Sequence, residues 1–249
     1  LHGVHGIQAP RDQQAVVVLE GGTVSARFQP LAQKLANQIE VIHPAGFGFG
    51  GGGTSRPGDP SHPNENPSGV HNLALPFWRI SREDPERLAV VAESQWSYGQ
   101  AAAQASAVAQ WLGPQARRVA ILASRSAAAC LAVLGSCWAG ATYIPLSLGW
   151  PEERLSQILA QIEPDALLVD DRGQALLTPA LRAQCARTLH PLRDLSPVVA
   201  TTPRTVEPEW PAYVIFTSGT TGAPKGVIIS AGAVAHLIQC AQQAFPLTR

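Results

Sequence analysis

From Arg118 onward, short apolar runs alternate with amphipathic stretches at nearly even intervals. VAILAS (119–124) reads as a strand, and AAACLAVLGSCWAG (127–140) as an alanine-rich helix stopped by Gly140. ATYIPLS (141–147) predicts a strand entering a turn. Pro151 then opens PEERLSQILAQIE, with Glu152 and Glu153 in the first turn, where carboxylates meet the positive end of the helix dipole. DALLVD (165–170) is a further short strand and PALRAQC part of a short helix. After a polar, proline-bearing segment, AYVIFTS (212–218) is the last clear strand and AGAVAHLIQCAQQAF (231–245) a closing helix. This alternation predicts an α/β fold with a mostly parallel sheet and crossover helices.

The front of the chain is patterned differently. AVVVLEGG (15–22) predicts a strand and turn, and PLAQKLANQIE (30–40) places apolar residues at helical spacing. Residues 43–75 carry seven glycines between Gly46 and Gly58 and repeated prolines, with little to pack, and read as a linker or mobile loop. Residues 88–112 then repeat the plan of strand, Glu, turn, Ser and amphipathic helix, consistent with an imperfect duplication. The expected organisation is a strand-helix segment over 1–42, a linker over 43–75 and a folded unit over 76–249.

Eighteen basic and eighteen acidic residues give no net charge, which argues against nucleic acid and anionic membrane partners. Only Lys34 and Lys225 are lysine; Lys34 lies on the predicted front helix and is expected to face solvent. Cys130, Cys137, Cys185 and Cys240 form no close pair, and His2, His5, His43, His62 and His71 are scattered, so neither a metal site nor a disulfide framework is expected. No apolar run reaches membrane-spanning length, and the first residues lack a secretion signal, which leaves a cytoplasmic protein as the default expectation. Trp96, Trp111, Trp138 and Trp150 are expected to serve packing rather than stacking on a ligand.

The candidate chemistry lies in VIFTSGTTGAPKG (214–226), where an apolar strand breaks into a stretch rich in Gly, Ser and Thr. Glycines let backbone amides converge on an oxyanion, Thr217, Ser218, Thr220 and Thr221 add hydroxyl donors, and Lys225 adds a mobile charge. A polyphosphate needs all three kinds of donor. The Walker pattern is absent, because Pro224 precedes Lys225 and Gly226 follows it, so a P-loop kinase or GTPase is disfavoured. Ser218 lacks the G-x-S-x-G elbow of a hydrolase nucleophile. An ordinary Ser/Thr/Gly loop remains the blander reading of composition alone.

The order of residues goes further. Tyr213 to Gly226 resembles the signature loop of the adenylate-forming superfamily, which includes acyl-CoA synthetases, luciferases and the adenylation domains of nonribosomal peptide synthetases. The family pattern is roughly Tyr, two apolar residues, then [ST]SG[ST]TGxPKG; Thr217, Ser218, Gly219, Thr220, Thr221, Gly222, Pro224, Lys225 and Gly226 match it. Residues 138–170 resemble a second segment, approximately KAGGAYVPLDPxYPxERLxxML, typical of amino-acid-activating members. Gly140, Ala141, Tyr143, Pro145, Pro151, Glu153, Arg154 and Leu155 carry that match. A weaker third match lies in WSYGQAAAQASAVAQWL (96–112). Two departures stand out: Ser230 is followed by Ala231 where a histidine is usual, and Ser147 replaces a common acidic residue. His236 falls inside the closing helix and reads as a helix residue.

The resemblance implies the front portion of the large N-terminal domain of an adenylate-forming enzyme, apparently truncated, with residues 76–249 as a partial adenylation domain. It implies ATP-dependent activation of a carboxylic or amino acid to an acyl-adenylate with release of pyrophosphate, usually with Mg2+, then transfer to a phosphopantetheine thiol. Thr217, Ser218, Gly219, Thr220, Thr221, Gly222 and Lys225 would bind the β- and γ-phosphates, with Lys225 steadying the leaving group. The implied partners are the acid substrate, a carrier protein, and the remainder of the enzyme as same-chain continuation or partner chain, since the ribose-binding acid and C-terminal lysine follow this region in the family. A non-catalytic short relative used for nucleotide binding or protein interaction is the alternative, and an unrelated α/β nucleotide binder the third reading.

Overall fold

The computed structural model describes residues 15–18, 39–42, 71–217 and 224–244. Ser218, Gly219, Thr220, Thr221 and Gly222 lie outside the described residues, as do Lys34, most of the predicted 30–40 helix, nearly all of the 43–75 segment, and His2, His5, His43 and His62.

The alternating block forms as its pattern predicts. Two strands from the front of the chain, β1 (Ala15–Val18) and β2 (Ile39–Ile42), precede it. Next come α1 (Leu75–Glu83), the hairpin β3 (Leu88–Val91) and β4 (Gln95–Ser97), and α2 (Tyr98–Leu112). Strands β5 (Arg118–Leu122), β6 (Thr142–Leu146) and β7 (Ala166–Val169) are joined by helices α3 (Ala127–Trp138) and α4 (Glu152–Ile162). After β7 follow two short helices, α5 (Asp171–Leu176) and α6 (Pro179–Ala183), then β8 (Thr188–Leu189), β9 (Pro211–Thr217), β10 (Lys225–Ser230) and α7 (Ala231–Ala244). Helix starts are set by side chains that satisfy free amides. Ser97 and Gln100 make a reciprocal capping box on α2, Ser126 caps α3, and Thr178 with Pro179 opens α6. Past α3, Gly140 takes φ +68°, a left-handed value suited to glycine, as the chain turns into β6.

Eight strands make one sheet in the order β2-β1-β10-β9-β6-β5-β7-β8. Neighbours in the sheet run parallel except β9 and β10, which are antiparallel. Three readings of the sequence are corrected. Ile39 and Glu40 belong to a strand rather than to the end of a helix, because Ile39, Val41 and Ile42 fit the β-branched profile of a strand pairing with β1. Residues 95–97 are a second hairpin strand, where only a turn was expected. Residues 225–230, not read as an element, form β10; their alternating burial is the period-2 signature of a strand.

Alternation along β5 and β7 sends side chains to both faces. Ala120, Leu122, Leu167 and Val169 pack with Ile144, Val214, Phe216 and Ile228 against Leu155, Ile158, Leu159 and Ile162 of α4. On the other face Val119, Ile121 and Leu168 meet Val108 and Leu112 of α2 and Ala132 of α3. Trp138 is buried in a third cluster beneath α1 and donates from its indole nitrogen to Thr201 O, so it is a packing residue as expected. Helices α2 and α3 approach closely at Gly135. A Cβ built there would lie 2.5 Å from Val108 Cβ and 3.1 Å from the carbonyl oxygen of Ala105. Gly135→Ala is therefore expected to destabilise the protein by about 1–3 kcal/mol through overpacking. Chemical denaturation checks this, and adding Val108→Ala should not restore the loss, because alanine keeps the Cβ that makes the nearest contact.

Candidate functional site

Parallel strands bring their carboxyl ends to one edge of the sheet, and β9 ends there at Thr217. Its parallel pairing to β6 is fixed by the register Tyr143↔Tyr213 and by ring contact between the two tyrosines at 5.5 Å. Thr142 reinforces the junction, its buried hydroxyl donating to Pro211 O at 2.7 Å. The hairpin then returns along β10 in the register Thr217↔Lys225, Gly226↔Phe216 and Val227↔Ile215. Thr217 is exposed and Lys225 half-buried, and the register puts both on the same face of the sheet.

Of the residues expected to hold phosphate, Thr217 and Lys225 are thus brought side by side. Ser218, Gly219, Thr220, Thr221 and Gly222 lie in the connection between them, outside the described residues. Gly226 has a packing role. It is buried in β10, and a Cβ there would come within 3.0 Å of Val214 Cγ1 and 3.2 Å of Phe216 Cζ. Ser230 is fully buried and its hydroxyl accepts from Ala233 N, capping α7. His236 is exposed on that helix.

A second cation reaches the same edge from α4. Arg154 Nη2 donates to Thr217 O at 3.1 Å, and its guanidinium lies 4.7 Å from the ring centre of Trp150. The turn that presents Trp150 is closed by Trp150 N donating to Ser147 O and Gly149 N donating to Ser147 Oγ. The sequence supplied no functional reading for Arg154, since the link to Thr217 is tertiary.

A second polar cluster lines a crevice of about 790 Å³ beyond β5 and β7, the strands at which the chain order in the sheet reverses. Asp170 lies at its floor, 4% exposed. Its Oδ2 accepts from Ser124 N, Ser124 Oγ and Ser126 Oγ, and its Oδ1 accepts from Gly173 N at the start of α5. Glu93 reaches from the β3–β4 hairpin to accept from Ala127 N at the α3 N-terminus. His190 Nδ1 accepts from Leu192 N and Arg193 N. These bonds tie loops together within the chain, so the cluster is a structural brace. An Asp at a strand end is the sequence signal for this cap.

Among the described residues no group of His, Cys, Asp and Glu is gathered to hold a metal, and no helix is long and apolar enough to cross a membrane. Cys137 and Cys185 are buried, and burial pushes their thiols up to about 12 and about 11, which keeps them protonated and unreactive.

Residues 77–249 match the family model described as AMP-binding enzyme. Pyochelin synthetase PchF of Pseudomonas aeruginosa is 34% identical over 186 residues, which cover 71% of this chain and 10% of that protein. Vanchrobactin synthetase VabF of Vibrio anguillarum is 30% identical over 74% of this chain and 7% of its own length. Among solved structures, the nonribosomal peptide synthetase FmoA3 in its AMPPNP-bound form aligns with a TM-score of 0.63 at 25% identity, covering 72% of this chain and 19% of its own. The chain therefore spans a small part of the relatives it resembles.

The Asp170 brace has a definite pH signature. Burial alone would raise its pKa, but bonds from the Ser124 hydroxyl, the Gly173 and Ser124 amides and the Ser126 hydroxyl outweigh it and hold the carboxyl below the usual range. A lowered folded value stabilises the fold above the ordinary carboxylate pKa of about 3.9 and is lost as pH falls through the folded value. Asp170→Asn should cost about 1–3 kcal/mol at neutral pH. The gap to wild type should narrow on acidification below about pH 4, as read by denaturation at stepped pH.

Proposed function

The chain belongs to the AMP-binding enzyme family, and on that premise we propose that residues 76–249 are the front part of an adenylation domain that activates an amino acid. The complete enzyme joins the substrate carboxylate to the α-phosphate of ATP, releases pyrophosphate, and passes the acyl group to a phosphopantetheine thiol on a carrier protein. The observation that carries this reading is the convergence of Thr217, Lys225 and Arg154 at the carboxyl edge of a parallel sheet. Ligands of open α/β sheets bind at that edge.

The residues present suit an anionic nucleotide tail. Thr217 offers an exposed hydroxyl at the end of β9, and Lys225 a full charge directly across the hairpin. In this reading Ser218, Gly219, Thr220, Thr221 and Gly222 supply the intervening amides and hydroxyls. Donors fixed before the reaction stabilise the charge that develops on the departing pyrophosphate without reorganising during the step. Lys225 balances that charge and takes no covalent part. When bound, magnesium neutralises phosphate charge.

Names of relatives favour the peptide-synthetase branch: gramicidin, plipastatin and pyochelin synthases all match over most of this chain. The test is ATP–pyrophosphate exchange by the full-length protein that carries this segment, across a panel of amino and other carboxylic acids. Exchange should depend on an amino acid, and Lys225→Ala should lower its rate by about a hundredfold. Exchange with no acid, or an unaffected Lys225→Ala variant, would overturn the reading.

A further inference from the structure

We propose that Arg154 is a positioning residue for the phosphate-binding stretch, holding the Thr217 end of β9 from its place on α4. The proposal rests on the reading of residues 217–226 as a phosphate site and assigns a new role within it. Three features of Arg154 carry it. Its Nη2 donates to Thr217 O at 3.1 Å, at the last residue of β9, and Thr217 is the register partner of Lys225. Fixing that carbonyl therefore also fixes the strand position opposite the lysine.

Next, the guanidinium lies on the face of Trp150, 4.7 Å from its centre. Trp150 packs in turn against the core cluster of α4 and β9. An arginine lying on an aromatic face gives up rotamer freedom, and its planar fork then points in one direction. Third, Arg154 makes no ion pair with a carboxylate among the described residues, and its buried Nε has no hydrogen-bond partner there. Leaving such a donor unsatisfied costs free energy, and a neutral side chain could satisfy a single carbonyl at lower cost. Its positive charge therefore stays available beside Thr217, where the proposed ligand is anionic.

The experiment uses the full-length protein that carries this segment, with magnesium pyrophosphate as probe, and compares wild type, Arg154→Ala and Arg154→Lys by titration calorimetry and by amide hydrogen exchange without ligand. Arg154→Ala should weaken pyrophosphate binding about tenfold, because it frees the Thr217 carbonyl and removes the charge beside it. It should also speed exchange in peptides spanning residues 213–228 while leaving those of α2 and α3 unchanged. Arg154→Lys, which keeps the charge and one donor, should recover the larger part of both effects. Three results would overturn the role: unchanged exchange over 213–228, faster exchange everywhere at once, or unchanged pyrophosphate affinity in the alanine variant. If wild type itself binds no pyrophosphate, the phosphate reading of the stretch falls, and the exchange pattern still decides whether Arg154 holds Thr217.

Discussion

The parallel pairing of β9 to β6 is the constraint on which the candidate site depends. β9 comes late in the chain, after a polar connection from β8. Antiparallel insertion would send Thr217 to the opposite edge of the sheet. The Tyr143–Tyr213 contact and the bond from Thr142 to Pro211 select the parallel arrangement, both near the start of each strand. Once that choice is made, the carboxyl ends of β5, β6, β7 and β9 share one edge, and so does the amino end of α4. Arg154 can then meet Thr217 although 63 positions separate them.

The single antiparallel pair of the large sheet has the complementary effect. A parallel return from Thr217 would need a crossover of a dozen residues or more, whereas a hairpin needs only a short connection. β10 therefore brings Lys225 straight back opposite Thr217. The glycine after it serves the same geometry, since a Cβ on Gly226 would press within 3.0 Å of Val214 and 3.2 Å of Phe216. The final PKG of the motif thus combines two physical demands. Lysine supplies charge on one face, and glycine lets the hairpin lie flat on the core on the other.

Much of this was legible in the sequence, and the rest was missing for identifiable reasons. The block from β5 to β7 follows local rules: apolar runs, Pro151 with Glu152 and Glu153 at a helix start, and Gly140 past a helix end. The KGVIIS strand escaped because it begins in a turn-like context and gains its burial from its place between β1 and β9 in the sheet. The α5 helix escaped because DRGQAL is polar and contains glycine. Gly173 is required there because a Cβ would collide with Leu122 O, which is a tertiary fact with no local trace. Thr217 and Lys225 could be chosen from the order of their motif, yet their adjacency across a hairpin could not. Arg154 carried part of a resemblance, but no spacing rule connects it to residue 217.

Charge adds the last constraint. With basic and acidic residues balanced over the chain, no long-range field draws an anion, so any preference must be built locally. Some cations elsewhere meet carboxylates: Arg193 pairs with Asp194 and Asp171, and Arg118 lies 4.0 Å from Glu163. At the carboxyl edge of β9 the surroundings differ. Arg154 is held by a carbonyl and an aromatic face, neither of which cancels its charge, and Lys225 stands across the hairpin from the same threonine. Two cations at one strand end, in a molecule with no net charge, are what an anionic ligand would find. Because Arg154 is bonded to the Thr217 carbonyl and Lys225 is paired with Thr217 across the hairpin, the attraction would come with a fixed position.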